Sequence, residues 1–323
     1  MEITQALAHV VENKDLSFDQ MHAIMRQIMS GEATSAQIAG FMVALRMKGE
    51  TVDEITAAAT VMRELAVGVR VDVPHLVDIV GTGGDGSALF NVSTASAFVV
   101  AAAGGHVAKH GNRSITSRSG SADMLEAAGV NLDVPPEVVA ECVNTLGVGF
   151  MFAPKHHSAM RHAATPRKEL GIRTLFNVLG PLTNPAGAPA MVLGVYHQRW
   201  LQPLAETMQQ LGACHVLVVH SHDGLDEISL AEATEVAELV DGTIKRYQIT
   251  PEDFGLRRQP LDALIVDGPV QSVQLIRDAL GGQPGAVADM ISLNAGAAIY
   301  AADLTASLAE GVSRAQTLLK QGA

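Results

Sequence analysis

Residues 76–103 decide the fold. They read Leu76-Val77-Asp78-Ile79-Val80, then Gly81-Thr82-Gly83-Gly84-Asp85-Gly86, then Asn91-Val92-Ser93-Thr94 at the head of an apolar run ending at Ala103. An apolar segment closed by glycines, followed by a polar cap and a long apolar stretch, predicts strand, turn and helix. The alternation recurs downstream. Strands are expected at 76–80, 107–109, 148–152, 191–195 and 216–220, and helices at 93–103, 122–128, 136–146 and 201–211. Gly104, Gly129, Gly147 and Gly212 stand where helix C-caps belong. Such alternation predicts an α/β unit with a mostly parallel central sheet flanked by helices. Asp241-Gly242 then turns 235–239 back onto 244–249 as a hairpin. Helices complete the chain from about Ser272, read as an N-cap.

Upstream of Val69 the texture is helical only. Three capping boxes, Ser17/Gln20, Thr34/Gln37 and Thr51/Glu54, mark successive helix starts. Ile38, Phe41, Met42 and Leu45 form one helical stripe, and Ile55, Ala58, Ala59 and Met62 another. The methionines Met21, Met25, Met29 and Met42 read as core or dimer contact rather than a cofactor site.

Composition narrows the class. With 323 residues, 48% hydrophobic, 4% aromatic and 30 glycines, the chain fits a two-part α/β protein better than an all-β one. A net charge of −12 argues against sequence-independent nucleic-acid binding, which draws its affinity from a basic face. No apolar run reaches the ~18–20 residues of a membrane span, and the first residues lack the basic region of a signal peptide. Cys142 and Cys214 have no metal-ligand spacing and read as free thiols of a reducing cytoplasm.

In this acidic chain the 37 residues from Gly86 to Ala122 contain no Asp or Glu. The window offers glycine-turn N–H groups, the hydroxyls of Ser93 and Thr94, and the cations of Lys109-His110-Gly111-Asn112-Arg113 and Arg118. Backbone donors at a glycine turn and a helix start form an anion nest, the chemistry that holds a polyphosphate. Asp85, at its edge, requires a metal ion or a ribose hydroxyl beside it. Gly81–Gly86 also matches the dinucleotide-binding G-x-G-x-x-G, but the acid that such a site needs about 20 residues on is missing. Asp226-Glu227, in a loop after the fifth strand, offers paired carboxylates for Mg2+. Arg167 in Pro166-Arg167-Lys168-Glu169-Leu170-Gly171 offers paired donors for a carboxylate. Asn177 and the block Gly180-Pro181-Leu182-Thr183-Asn184-Pro185 follow it. His156, His157 and His162 have no i, i+4 pair and read as lining the acceptor side rather than a metal site.

Taken in order, the glycine turn, Asn91–Thr94, Lys109–Arg113, Arg167–Gly171 and Asp226-Glu227 closely resemble the anthranilate phosphoribosyltransferase family. The resemblance implies that phosphoribosyl pyrophosphate is held by Gly81, Gly84, Asp85, Asn91, Val92, Ser93, Thr94, Lys109, His110, Gly111, Asn112, Arg113, Ser114, Ser117 and Ser121. It implies that anthranilate meets Gly81, Asn112 and Arg167, and that Ser93, Asp226 and Glu227 bind Mg2+. It further implies a helical domain, 1–70 joined by part of about 165–190, hinged to an α/β domain, 71–323, in a cytoplasmic homodimer formed through the helical lobe. No residue stands out as a general base; His110 and His157 are the available proton acceptors. Leu89 departs from the family pattern, where Thr or Ser is common. A pyrimidine-nucleoside phosphorylase-like enzyme would need a different Lys-rich phosphate loop. A non-catalytic nucleic-acid-binding relative would be basic and lack Arg167.

Overall fold

The computed structural model describes residues 1–84, 86–114 and 118–322; Asp85 and Ser117 lie outside the described residues. The chain opens with four helices, α1 (Ile3–Val11), α2 (Phe18–Ser30), α3 (Ser35–Lys48) and α4 (Val52–Glu64). All three expected capping boxes form: the hydroxyls of Ser17, Thr34 and Thr51 accept from the N–H groups of Gln20, Gln37 and Glu54. A fourth box, Glu2 with Gln5, starts α1; a Glu in the cap position hides it from the usual Ser/Thr signature. Both apolar stripes are buried, and Met21, Met25, Met29 and Met42 are core. Glu54 is fully buried yet satisfied, accepting from Leu16 N–H, Thr51 N–H and the Lys48 ammonium.

Then follow β1 (Leu76–Gly81), α5 (Val92–Ala102), β2 (His106–Gly111), α6 (Ser121–Ala127), α7 (Pro136–Leu146), β3 (Val148–Phe152), α8 (Ala153–His156), α9 (Arg161–Leu170) and α10 (Phe176–Leu179). After them come β4 (Ala190–Gly194), α11 (Leu201–Gln210), β5 (His215–Ser221), β6 (Thr234–Val240), β7 (Thr243–Ile249), α12 (Pro269–Leu280), α13 (Ala286–Ala301) and α14 (Leu308–Gln321). One seven-stranded sheet runs β3-β2-β1-β4-β5-β6-β7. The first five strands in that order are parallel, and the β6–β7 hairpin adds antiparallel to β5. Successive residues alternate between two cores: Val192, Leu217 and Val219 pack with α5, α13 and α14. Met191, Leu193, Val216 and Val218 pack with α4, α11 and the helical bundle. Residues of α9 and α10 (Ala163, Phe176, Val178 and Leu179) join that second core.

The expected start of α12 needs correction. Its N-cap is Gly268, with Pro269 at the first helical position, and Ser272 lies inside the helix, fully buried. Proline suits a helix's first turn, where its missing N–H costs nothing. Ser272 instead turns its hydroxyl to Asn91, 2.8 Å away. Strand order reverses direction between β1 and β4, so the carboxyl ends of these strands flank a topological switch point, where open α/β sheets bind ligands.

Candidate active site

The segments that follow β1, β2, β4 and β5 leave the carboxyl edge of the sheet. Two of them interlock at the switch point. Asp226 Oδ2, in the loop after β5, accepts a hydrogen bond of 2.6 Å from Gly83 N–H in the turn after β1. A Cβ on Gly81 would collide with that carboxylate, and one on Gly194, the last residue of β4, with the Asp226 carbonyl. Both glycines are therefore required by close approach rather than by backbone conformation. Gly83 and Gly84, by contrast, adopt φ of 66° and 77°, the left-handed region open to glycine.

The donor nest is built from α5. Its N-cap is Asn91, as expected, but no side chain caps the helix. Asn91 braces the site instead: its Oδ1 accepts from the Ser119 and Ser272 hydroxyls, each at 2.8 Å, and its Nδ2 donates to the Ser119 carbonyl. This leaves the start of α5 without a side-chain cap beside the glycine turn, and the Thr94 hydroxyl there is buried with no partner among the described residues. An uncapped helix start with an orphaned hydroxyl is fitted to an anion. Lys109, only 3% exposed, donates from Nζ to the Ile79 carbonyl (2.5 Å) and to Ser93 Oγ (3.1 Å). Burial pushes its ammonium below the ordinary lysine range, against the pull of Asp78, Glu227 and Asp226. Ser93 is thus bonded to this buried cation, and the charges of Asp226 and Glu227 favour its ammonium form. Among the described residues no three His, Cys, Asp or Glu side chains form a metal cage. Two carboxylates and a hydroxyl fit Mg2+, which is usually held by one or two carboxylates together with the substrate's phosphates.

The window's other cations behave differently. Arg113 forms a two-pronged pair with Glu126, at 2.5 and 2.7 Å, and reaches Asp123; Arg118 pairs with Asp267 at 2.6 Å. Acids from outside the window neutralise both, leaving Lys109 as its buried charge. Asp123 also accepts from Ser114 N–H and Gly120 N–H. The Ser121 hydroxyl donates to the Asn112 carbonyl, and a Cβ on Gly111 would strike it. These bonds tie Asn112, Ser114 and Gly120 to the first turn of α6.

The residues expected to line the acceptor side include His110, on the face of β2 opposite Lys109. Asp78 is fully buried and accepts from Asn184 Nδ2 at 2.7 Å; burial raises its pKa to about 6, countered by Lys109, Asn184 and the His110 N–H. His110 Nδ1 lies 3.2 Å from the Gly180 carbonyl, and its ring meets that of His157 at 5.0 Å between centroids. Burial holds His110 down to about 3 and His157 to about 4, with nearby imidazoles adding to the effect. Both are neutral at physiological pH and weak as bases. Arg167 stacks over Phe176, 5.3 Å from the ring centroid, and burial lowers its pKa. His156 bonds from Nδ1 to the Val67 carbonyl, while His162 packs against Gly31, so the three histidines do not converge.

Sequence reasoning missed three residues here. Asp78 is a lone acid in an otherwise apolar strand, and that contrast is a readable signal. Asn184 stands in the Gly180–Pro185 block without an expected role, and Arg173 has no local signal. Among the residues expected at the donor site, Asp85 and Ser117 fall outside the described residues.

Comparison with known proteins identifies the family. Residues 4–66 match the helical bundle domain of a glycosyl transferase family, and residues 73–323 match that family's a/b domain. The anthranilate phosphoribosyltransferase of Thioalkalivibrio sulfidiphilus is 60% identical over 323 residues, covering 100% of this chain and 96% of its own. The crystal structure of anthranilate phosphoribosyltransferase from Thermus thermophilus superposes with a TM-score of 0.93 at 49% identity, covering 98% of this chain and 95% of that one. The Saccharomyces cerevisiae enzyme in complex with PRPP and Mg gives 0.89 at 28% identity, covering 98% and 94%.

Proposed function

The chain belongs to the anthranilate phosphoribosyltransferase family, and from that premise we infer how its own residues perform the reaction. It transfers the phosphoribosyl group of 5-phosphoribosyl 1-pyrophosphate to the amine of anthranilate, giving N-(5-phosphoribosyl)anthranilate and pyrophosphate in tryptophan biosynthesis, with Mg2+ as cofactor. The observation that carries the assignment of residues is the meeting of Asp226 with Gly81 and Gly83 at the switch point, beside Lys109 and Ser93.

In this reading the turn residues Gly81, Gly84 and Asp85 and the α5 start, Asn91 to Thr94, hold the donor's phosphates and ribose. Lys109 to Ser114, Ser117 and Ser121 complete the set that holds the donor. Ser93, Asp226 and Glu227 would hold Mg2+, which when bound neutralises phosphate charge and eases departure of pyrophosphate. Lys109 supplies fixed positive charge from beneath, already placed before substrate arrives, so little reorganisation accompanies the charge that develops on the leaving group. Arg167 grips the anthranilate carboxylate, with Asn112 and Gly81 alongside, and aligns the amine with the ribose carbon. The attacking nitrogen becomes strongly acidic as its bond forms, so the neutral His110 or His157 would suffice as proton acceptor despite its low basicity.

We also propose the organisation that the family implies: a helical domain of 1–70 joined by part of about 165–190, an α/β domain of 71–323, and a cytoplasmic homodimer formed through the helical domain. The exposed Val11, Phe18 and Met47 on the helical bundle support an apolar contact there. No helix is long and apolar enough to cross a membrane among the described residues. The transfer is tested by following anthranilate fluorescence after adding the donor and Mg2+. Loss of the anthranilate signal with release of one pyrophosphate per anthranilate consumed supports it, and an unchanged signal refutes it.

A further inference from the structure

Arg173 lies in none of the motifs that make up either substrate site. It stands in the link between α9 and α10, and its side chain is exposed. The main chain there is anchored to the helical bundle: the Arg173 carbonyl accepts from the Arg46 guanidinium on α3, and the buried Thr174 hydroxyl contacts Met42 Sδ at 3.8 Å. The side chain crosses to the α/β part. Its guanidinium carbon lies 4.2 Å from the centroid of the Tyr196 ring, just beyond β4. A methyl group at Gly84 would sit 3.3 Å from its Nε and 3.4 Å from Nη2. The platform and the turn form one unit, because Tyr196 N–H donates to Thr82 Oγ1 and Thr82 N–H to the Gly194 carbonyl.

A guanidinium stacked on an aromatic face keeps its N–H edge in the ring plane of the cation, directed sideways and open to an anion. Here that edge borders the glycine turn. We propose that Arg173 is a further donor-binding residue: it pairs with the phosphates held at the turn and so ties the helical bundle to the occupied donor site. This rests on the turn being the donor site, as inferred above. Through the Arg46 contact, donor binding and the position of α3 become linked, because an anion that fixes the guanidinium also fixes the segment α3 grips. Arg173 is then a cross-cleft contact whose strength depends on the donor.

The test is calorimetric titration of phosphoribosyl pyrophosphate, and separately of inorganic pyrophosphate, in the presence of Mg2+ and without anthranilate. It compares the wild-type protein, Arg173→Ala and Arg173→Lys, with the anthranilate KM and melting temperature measured alongside. The expected result is a weakening of donor binding by about 10- to 100-fold in Arg173→Ala, the range for loss of a charge-assisted contact. Salt dependence should fall in the same variant, because one exposed charge contact is gone. Arg173→Lys should recover part of the affinity, and the anthranilate KM and melting temperature should hold. Unchanged donor binding in Arg173→Ala overturns the proposal. So does an equal loss for both substrates with a lowered melting temperature, which marks a brace of the turn. A wild-type protein that binds neither probe refutes the donor-site reading itself, an outcome separate from either of these.

Discussion

The carboxylate of Asp226 and the backbone N–H of Gly83, 143 positions apart in the chain, are joined by a hydrogen bond of 2.6 Å. This bond locks the acidic loop after β5 onto the glycine turn after β1. It places a negative group against the glycine turn that leads into the acid-free window. Anion nest and carboxylate can share a site only if a cation stands between the carboxylate and an incoming phosphate.

Gly81→Ala should therefore disable the site through sterics alone. Its added methyl displaces Asp226 and breaks the contact with Gly83. Turnover should fall at least about 100-fold, the cost of misplacing a binding group by roughly an ångström, while circular dichroism stays native. Near-normal turnover would show that Asp226 can move freely.

Arg167→Ala should raise the anthranilate KM far more than that of the donor. Losing a charge-assisted carboxylate contact costs about 1.5–3 kcal/mol, roughly 10- to 150-fold in affinity. Equal changes in both constants would assign Arg167 to packing against Phe176.

A carboxylate placed in the acid-free window should harm binding beyond its volume. Asn112→Asp should weaken anthranilate binding and Ser93→Asp donor binding, since like charges a few ångströms apart repel by about 1–4 kcal/mol. Because Lys109 lies 3.1 Å from Ser93 Oγ, the Ser93→Asp protein should pair with it and stay folded. Melting curves and substrate titrations separate the two effects; normal binding in both variants would make the charge pattern incidental.

At the other end of the sheet, His215 lies between Glu238, at 3.0 Å, and Asp303, at 3.3 Å. Burial opposes its charge, but these carboxylates outweigh burial and raise its pKa above the ordinary histidine value. The folded state thus holds the proton more tightly than the unfolded chain. The resulting stability is full below about pH 6.5 and is lost as pH rises through the folded value. His215→Gln should remove this fall, so the melting-temperature gap between the two proteins should narrow from pH 6 to pH 9. His110 and His157 have the opposite sign: their depressed values make folding less favourable as pH drops below about 6.5. A gap that widens toward pH 9 would contradict the assignment for His215.

Most of the architecture was legible because it rests on local signals. Capping boxes at Ser17, Thr34 and Thr51, glycine C-caps and the apolar strands all report short-range physics, and apart from the start of α12 the element boundaries fall within a residue or two of those read. Ser272 misled because a small polar residue ahead of an apolar run resembles a cap, whereas Pro269 had already begun the helix. What remained hidden depends on contacts far apart in sequence. Arg113 is legible as a cation of the window, but its pairing with Glu126 is supplied by the fold. Asp78 gains its role only from Lys109 across the sheet and Asn184 above it. Charge in a sequence window shows which residues are present, but pairing is decided by the fold.

The central claim is that Ser93, Asp226 and Glu227 hold the donor through Mg2+ on a protein of net charge −12. Its most direct test is calorimetric titration of phosphoribosyl pyrophosphate into wild-type, Asp226→Asn and Glu227→Gln proteins across a series of Mg2+ concentrations, with a chelator blank. The account predicts tight wild-type binding that vanishes in the chelator, and variants that need far more Mg2+ to reach the same affinity while anthranilate binding is kept. Wild-type binding of equal strength with and without Mg2+, or variants with an unchanged Mg2+ requirement, would contradict it.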